Sequence, residues 1–137
     1  MPSTSIALKT ALPALALLLA ACAAPPPPPG PDFSVVRFSH DNPDEIVGQK
    51  LDGKNTEDGK SFKVKAGSHD LVVVVQRQDT NGKMQYCFAT LQYANFKDDE
   101  VYNIHEDRLG RKVFLQLRRH TEVLATNEGP LNCSPGS

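Results

Sequence analysis

The segment that decides the fold is HDLVVVVQRQDTNGKMQYCFATLQY, residues 69–93. Its four consecutive valines favour a strand over a helix, because β-branched side chains pack well on a pleated sheet. Residues 79–82 form the segment DTNG, whose Asn-Gly pair is typical of a hairpin turn. Residues 83–93 are expected to return antiparallel to the first strand. The segment therefore predicts a β-hairpin, and its valine strand, apolar on both faces, is expected at the centre of a sheet.

Shorter segments on both sides of this hairpin have the period of two that is typical of strands. Strands are predicted at residues 33–38, 46–51, 61–65, 101–105, 112–119 and 122–126. Turn formers separate these segments, and the polar segment 52–60 contains two Asp-Gly pairs. Together they predict an all-β fold, a small antiparallel β-sandwich of about seven strands. A small β-barrel is the alternative architecture.

Residues 1–21 have the composition of a secretory signal peptide. Lys9 supplies a cation, and residues 11–21, which are nearly all Ala or Leu, form an apolar run shorter than the roughly 20 residues that span a bilayer. The segment LAAC, residues 19–22, resembles the lipobox of bacterial lipoproteins. This resemblance implies a diacylglyceryl thioether on Cys22, cleavage just before it and acylation of the new amino terminus. A generic signal peptide with a chance cysteine is the alternative.

The five consecutive prolines that follow predict a stiff spacer. Proline favours the extended polyproline II helix, which rises about 3.1 Å per residue. Residues 22–32 are therefore expected to hold a single β domain, residues 33–137, away from a membrane surface. A proline-rich ligand for a partner is the alternative interpretation. In bacterial lipoproteins, the absence of aspartate after the lipidated cysteine, here at Ala23, implies sorting to the outer membrane, facing the periplasm, with the inner membrane or the cell surface as alternatives.

Two cysteines remain once Cys22 is assigned to the lipid. Cys87 and Cys133 form an even pair in an oxidising envelope compartment, so we expect a disulfide bond between them. Such a bond would stabilise the domain by on the order of 4 kcal/mol in the chain-entropy model. One buried thiol and one thiol loose in the tail is the alternative.

The charge balance argues against a nucleic-acid partner. The formal net charge is −1 for the whole chain and becomes −2 when Lys9 leaves with the signal peptide. Nucleic-acid binders typically carry a strongly basic surface instead. The expected partners are the membrane, through the lipid anchor, and an unidentified envelope protein.

Several short motifs resemble the layout of PEGA-type β-sandwich modules and related small bacterial lipoproteins. They are an apolar-Asp-Gly turn, a strand ending in a Gly-x-His turn, and a lysine followed by a tyrosine on an alternating strand. The matching residues are Leu51, Asp52, Gly53, Val64, Gly67, His69, Lys97, Tyr102 and Ile104. The resemblance implies a structural or binding fold displayed at the cell surface, with no catalytic residues. His69 is expected to hydrogen-bond the turn beside it.

The candidate chemical groups do not form a recognisable catalytic or metal-binding motif. The triplet His105-Glu106-Asp107 has the residue types of a metal site, but adjacent strand residues point to opposite faces, and zinc needs three or four converging ligands. We therefore expect these residues to be solvated turn residues. The acidic runs 98–100 and 106–107 are not expected to be buried enough to raise a pKa. No Gly-x-Ser-x-Gly motif is present. The sequence predicts a protein that is not an enzyme and binds no metal or cofactor.

Strand 112–119 offers a candidate partner-binding face. Its alternation predicts that Val113, Leu115 and Leu117 face the core, whereas Phe114 and Arg118 face outward. An aromatic residue near an arginine is typical of a contact centre. Cover of Phe114 by a loop or by the carboxy-terminal tail is the alternative.

These observations predict a membrane-anchored envelope lipoprotein that acts as a non-catalytic binding or structural accessory module. The alternative function is a periplasmic inhibitor of the lysozyme-inhibitor type. In that case, the polar loop at residues 52–60 would enter the cleft of the target enzyme.

Overall fold

The computed structural model describes residues 27–110, 112–129 and 131–135. The predicted signal peptide and Cys22, the predicted site of lipidation, lie outside these residues. The described chain forms ten β-strands: β1 (Ser34–Phe38), β2 (Glu45–Leu51), β3 (Lys54–Asn55), β4 (Phe62–Val64), β5 (Gly67–Gln78), β6 (Met84–Phe96), β7 (Val101–Leu109), β8 (Lys112–Arg119), β9 (Glu122–Thr126) and β10 (Asn132–Pro135). Within this part of the chain, no helix suited to crossing a membrane occurs.

The ten strands form two five-stranded sheets. Sheet 1 has the order β4-β1-β7-β8-β9, and sheet 2 has the order β10-β6-β5-β2-β3. A single cluster of buried apolar side chains contains residues from both sheets, so the sheets pack face to face. The fold is therefore a small β-sandwich, as the sequence predicted, and neither sheet closes into a barrel. The strand count exceeds seven because short edge strands such as β3 and β10 were not apparent from the sequence.

The β5–β6 hairpin lies at the centre of sheet 2, and the prediction for it is confirmed. Leu71 lies opposite Leu91, and Val73 lies opposite Ala89, with all four side chains buried in the core. Val74 points to the other face of the sheet and is also buried. This burial on both faces explains why the strand carries an unbroken run of valines instead of an alternating pattern.

The connection between β5 and β6 is a side-chain-stabilised turn. The Asp79 carboxylate accepts hydrogen bonds from the backbone N–H groups of Asn81 (2.8 Å) and Lys83 (2.9 Å). Gly82 has a φ of +80°, a conformation that glycine adopts without steric cost. Asp79 therefore closes a turn that is longer than a two-residue Asn-Gly hairpin.

The pairing of β1 with β7 is parallel, whereas the sequence predicted only antiparallel pairs. Val36 lies opposite Tyr102, and Phe38 lies opposite Ile104. The chain passes through both sheets between these two strands, so no local turn fixes their relative direction. Long-range packing determines this pair, and the local sequence pattern contains no information about it.

The predicted disulfide between Cys87 and Cys133 is present, with an S–S distance of 2.01 Å. The two cysteines lie directly opposite each other where β10 pairs with β6. Cys87 is fully buried, whereas Cys133 is exposed at the edge of sheet 2. The bond therefore fixes the carboxy-terminal segment as an edge strand, and the alternative with two free thiols is wrong.

Candidate functional site

The outward face of β8 carries the two residues that the sequence predicted for partner binding. Val113, Leu115 and Leu117 are buried, as expected from the alternation of the strand. Phe114 and Arg118 point to the opposite face of sheet 1, and both are half-buried. Phe114 is therefore accessible without being fully exposed.

Strand pairing brings Arg118 into a row with two further polar residues. Arg37 on β1 lies opposite Asn103 on β7, and Asn103 lies opposite Arg118 on β8. The neighbouring positions Val36 and Tyr102 face the core, so these three residues lie on the outward face. We call Arg37, Asn103 and Arg118 the arginine row.

A chain of hydrogen bonds orients the Arg118 guanidinium. Its Nε and Nη2 atoms both donate to the Gln116 side-chain oxygen, with an Nε–Oε1 distance of 2.9 Å. Gln116 in turn donates from Nε2 to the Asp107 carboxylate at 3.3 Å. The guanidinium is thereby held in a defined position on the sheet surface, with its Nη1 group uninvolved in these bonds.

The arginines of the described chain differ in whether they have an acidic partner. Arg77, Arg108 and Arg119 each have a nitrogen within 4.0 Å of a carboxylate oxygen. Among the described residues, Arg37 and Arg118 have no such partner. The Arg37 Nε atom is also buried without a hydrogen-bond partner in this part of the protein. The two arginines of the row therefore have hydrogen-bonding capacity that intramolecular contacts do not use.

A second cluster of charged groups lies on the core side at one end of the sandwich. The Glu106 side chain has no solvent exposure, and its Oε2 atom lies 3.7 Å from Arg108 Nη2. The same Arg108 nitrogen donates to Asp44 at 3.2 Å, and Arg77 Nε lies 3.8 Å from the same Asp44 oxygen. Neither carboxyl oxygen of Glu106 has a hydrogen-bond partner among the described residues.

The environment of Glu106 changes its acidity. Burial raises the pKa of Glu106 to about 7, and the neighbouring Asp44 carboxyl contributes to the increase. Arg108 and Arg77 act in the opposite direction but do not compensate. The expectation that the acidic run 106–107 is too exposed to raise a pKa is therefore wrong for Glu106.

The error came from the predicted position of the triplet. The predicted strand ends at His105 and places Glu106 and Asp107 in a turn, whereas β7 extends to Leu109. Glu106 therefore continues the inward alternation of Tyr102 and Ile104 and is buried with them. This continued alternation was the available signal in the sequence.

The triplet divides between the two faces of the sheet, because adjacent strand residues point to opposite sides. His105 Nδ1 lies 3.5 Å from the Asp41 carboxylate, Glu106 points inward, and Asp107 contacts Gln116 on the outward face. The described residues contain no group of three or more His, Cys, Asp or Glu side chains that could hold a metal ion.

His69 hydrogen-bonds the neighbouring turns, as the sequence predicted. Its Nδ1 atom lies 2.6 Å from the Asp52 carboxylate, and its Nε2 atom donates to the Lys65 carbonyl oxygen at 2.7 Å. The hydrogen bond from His69 is the main reason that the pKa of Asp52 is lowered. Because both ring nitrogens are engaged, His69 is not arranged as a general base.

The segment 52–60, predicted as a polar loop, contains the short strand β3, which forms one edge of sheet 2. Thr56 N donates to the Gln49 carbonyl at 3.0 Å, and Gly48 N donates to the Gly59 carbonyl at 2.8 Å. A Cβ atom at Gly59 would lie 2.6 Å from a Val47 methyl group, so the loop approaches β2 closely. Open cavities of about 500 and 550 Å³ flank it. The loop is therefore fastened to the sheet instead of projecting from it.

Comparison with protein-family models, curated proteins and solved structures gives no match to this chain. The function is therefore inferred from the residues and geometry of the chain itself. The arginine row and Phe114 form the candidate binding surface. Glu106 is a buried ionisable group on β7, the middle strand of that row.

Proposed function

We propose that this protein is a lipid-anchored envelope lipoprotein that acts as a non-catalytic binding module. The observation that carries the proposal is the outward face of sheet 1. There, Arg118 is oriented by Gln116 and has no acidic partner among the described residues, and the half-buried Phe114 lies on the same strand face. Arginine and aromatic residues are enriched at protein contact sites.

The sequence supports the anchoring step of this proposal. A lipobox-like segment at residues 19–22 precedes the proline spacer, and the first described strand begins shortly after it. The Cys87–Cys133 disulfide is consistent with an oxidising compartment. The proposed location is the outer membrane, with the domain facing the periplasm. We also propose that the domain is similar to PEGA-type β-sandwich modules.

The described ionisable groups support binding over catalysis. Glu106 is buried away from solvent, and both ring nitrogens of His69 are engaged in hydrogen bonds. A general acid or base must reach the proton that it transfers. The loop at residues 52–60, which an inhibitor would insert into an enzyme cleft, is bonded to β2. These features favour a module that binds through a sheet face.

Site-specific photo-cross-linking in the intact envelope tests the binding proposal. A photoreactive residue in place of Phe114 should give a discrete cross-linked adduct with one envelope protein. The same residue in place of Lys50, an exposed position on sheet 2, serves as the matched control and should give no such adduct. Equal labelling at both positions, or none at position 114, would contradict the proposal.

The anchor is tested separately by intact mass. Protein extracted from the envelope should begin at Cys22 and carry added acyl mass, whereas Cys22→Ser should remain unprocessed. A mature chain without acyl mass would exclude lipidation but would leave the binding surface unaffected.

A further inference from the structure

We propose that the arginine row binds a carboxylate of an acidic segment in the partner protein, held between Arg37 and Arg118 across Asn103. This inference rests on the proposed function, because it assigns the chemistry of the partner at the same sheet face. It goes beyond that function by requiring a negatively charged partner and by adding Arg37 and Asn103 to the site.

The spacing of the row suits one carboxylate. Neighbouring strands lie about 4.8 Å apart, so the backbones of Arg37 and Arg118 are separated by about 10 Å with Asn103 between them. Arginine side chains are long enough to converge over the intervening strand. Each guanidinium offers several N–H donors in a planar arrangement that matches a carboxylate, and the Asn103 amide offers two more donors.

The two arginines of the row have N–H donors without an acidic partner among the described residues, which indicates that an anionic group would bind there. Arg77, Arg108 and Arg119 have carboxylates within 4.0 Å, whereas the two arginines of the row have none within the described ranges. The buried Arg37 Nε atom has lost access to solvent without gaining a partner there. A buried donor without a partner is unfavourable. Arg37 as a residue is only partly buried, and a carboxylate bound at its terminal N–H groups would give the guanidinium the acidic partner that it lacks among the described residues.

Arg118 is prepared for binding before any partner arrives. Arg118 is bonded to Gln116, and Gln116 donates one hydrogen bond to Asp107. These bonds restrict the rotamers of the Arg118 side chain, which is otherwise mobile. Binding then requires less ordering of the side chain, which favours affinity. Arg118 uses its Nε and Nη2 atoms for the bonds to Gln116, so its Nη1 group remains available to donate to an oxygen of the partner.

The composition of the face favours an acidic protein segment over an anionic membrane. Attraction to a lipid surface depends on clusters of several cations. Here the row shares its face with the Asp107 carboxylate and with His105, which contacts the Asp41 carboxylate. Acidic groups so close to the row weaken attraction to a uniformly negative surface, whereas a single carboxylate can avoid them.

Titration with a hexaglutamate peptide tests the inference. Amide chemical shifts of the full-length protein in a neutral detergent should move saturably at Arg37, Asn103 and Arg118. Arg37→Gln and Arg118→Gln should each weaken the affinity at least fivefold, whereas Lys50→Gln should leave it unchanged. Arg118→Lys should fall between wild type and Arg118→Gln, because it keeps the charge but loses the planar donor pair.

Two outcomes would overturn the inference. In the first, hexaglutamate causes no saturable shift at the row, or the two arginine substitutions do not weaken its binding. In the second, vesicles containing phosphatidylglycerol move the same amides while hexaglutamate does not. Thermal unfolding of each variant verifies that it is folded. If cross-linking at position 114 succeeds while the peptide titration fails, the binding module stands and only the acidic partner is refuted.

Discussion

The imidazole Nδ1 of His69 lies 2.6 Å from the carboxylate Oδ2 of Asp52 and joins the β2–β3 turn to the start of β5. The other oxygen of Asp52 accepts the backbone N–H of Asp70 at 2.8 Å. Asp52 and Gly53 have φ values of +50° and +82°, as a two-residue hairpin turn requires. One carboxylate thus connects a strained turn to the central strand of sheet 2.

We expect Asp52→Asn to destabilise the protein by about 1 to 2 kcal/mol near neutral pH, because it removes a charge-assisted hydrogen bond. Asp52→Ala should cost more, since asparagine tolerates the left-handed backbone better than alanine does. The pKa of Asp52 is lowered in the folded protein, so its stabilisation is present above its ordinary range and is lost as the pH falls. Denaturant unfolding of both variants at pH 7 and pH 3 measures the free energy of unfolding that each loses relative to wild type. An equal deficit at the two pH values would contradict the prediction.

The buried carboxyl of Glu106 predicts the opposite pH dependence. Its pKa rises from 4.5 to about 7 on folding, so the folded state binds the proton more tightly. Stability should therefore fall as the pH rises through this window, by on the order of 3 kcal/mol in total. Glu106→Gln should remove this dependence and exceed wild type in stability at pH 8. Glu57→Gln, at an exposed position, is the matched control and should follow the wild-type curve.

Reduction of the Cys87–Cys133 bond should lower the melting temperature by several degrees. The expected loss is roughly 2 to 5 kcal/mol, because the bond restricts the unfolded chain and fixes β10 to β6. Thermal unfolding with and without reductant, and of Cys133→Ser, measures the effect. If reduction leaves the melting temperature unchanged, the bond does not contribute to stability.

Phe114 and Leu115 provide a comparison between adjacent residues on opposite faces of β8. Phe114→Ala should cost about 1 kcal/mol, since its half-buried ring loses only part of its apolar contact. Leu115→Ala, at a fully buried position, should cost about 2 to 5 kcal/mol. Chemical unfolding of the two variants measures the two losses of stability and allows them to be compared. A cost for Phe114→Ala similar to that for Leu115→Ala would mean that the ring is part of the core and not a partner contact.

The β-sandwich was predictable because local chemistry specifies most of its strands. The valine run of β5 and the alternation of β8 depend on neighbouring residues in the sequence, and both were confirmed. The arginine row was not predictable, because it requires the parallel pairing of β1 with β7 across more than 60 residues. Glu106 was missed for a different reason, since an underestimated strand length assigned it to a turn. The alternation of the local sequence thus predicts which face of the sheet a residue occupies. It does not predict which distant residues lie beside it on that face.

The inner position of β1 in sheet 1 decides which hydrogen bonds carry a force applied to the preceding chain. β1 is the first strand after the proline segment, and it lies between β4 and β7 inside sheet 1. A force that acts along β1 and is opposed through β4 and β7 loads the hydrogen bonds to both neighbours in shear. In the proposed arrangement, with a tether before β1 and a partner on the outward face of sheet 1, both would act on the sheet that carries Arg37 and Arg118. The chain therefore enters the domain through an inner strand, which leaves the sheet only when the hydrogen bonds to both β4 and β7 are broken.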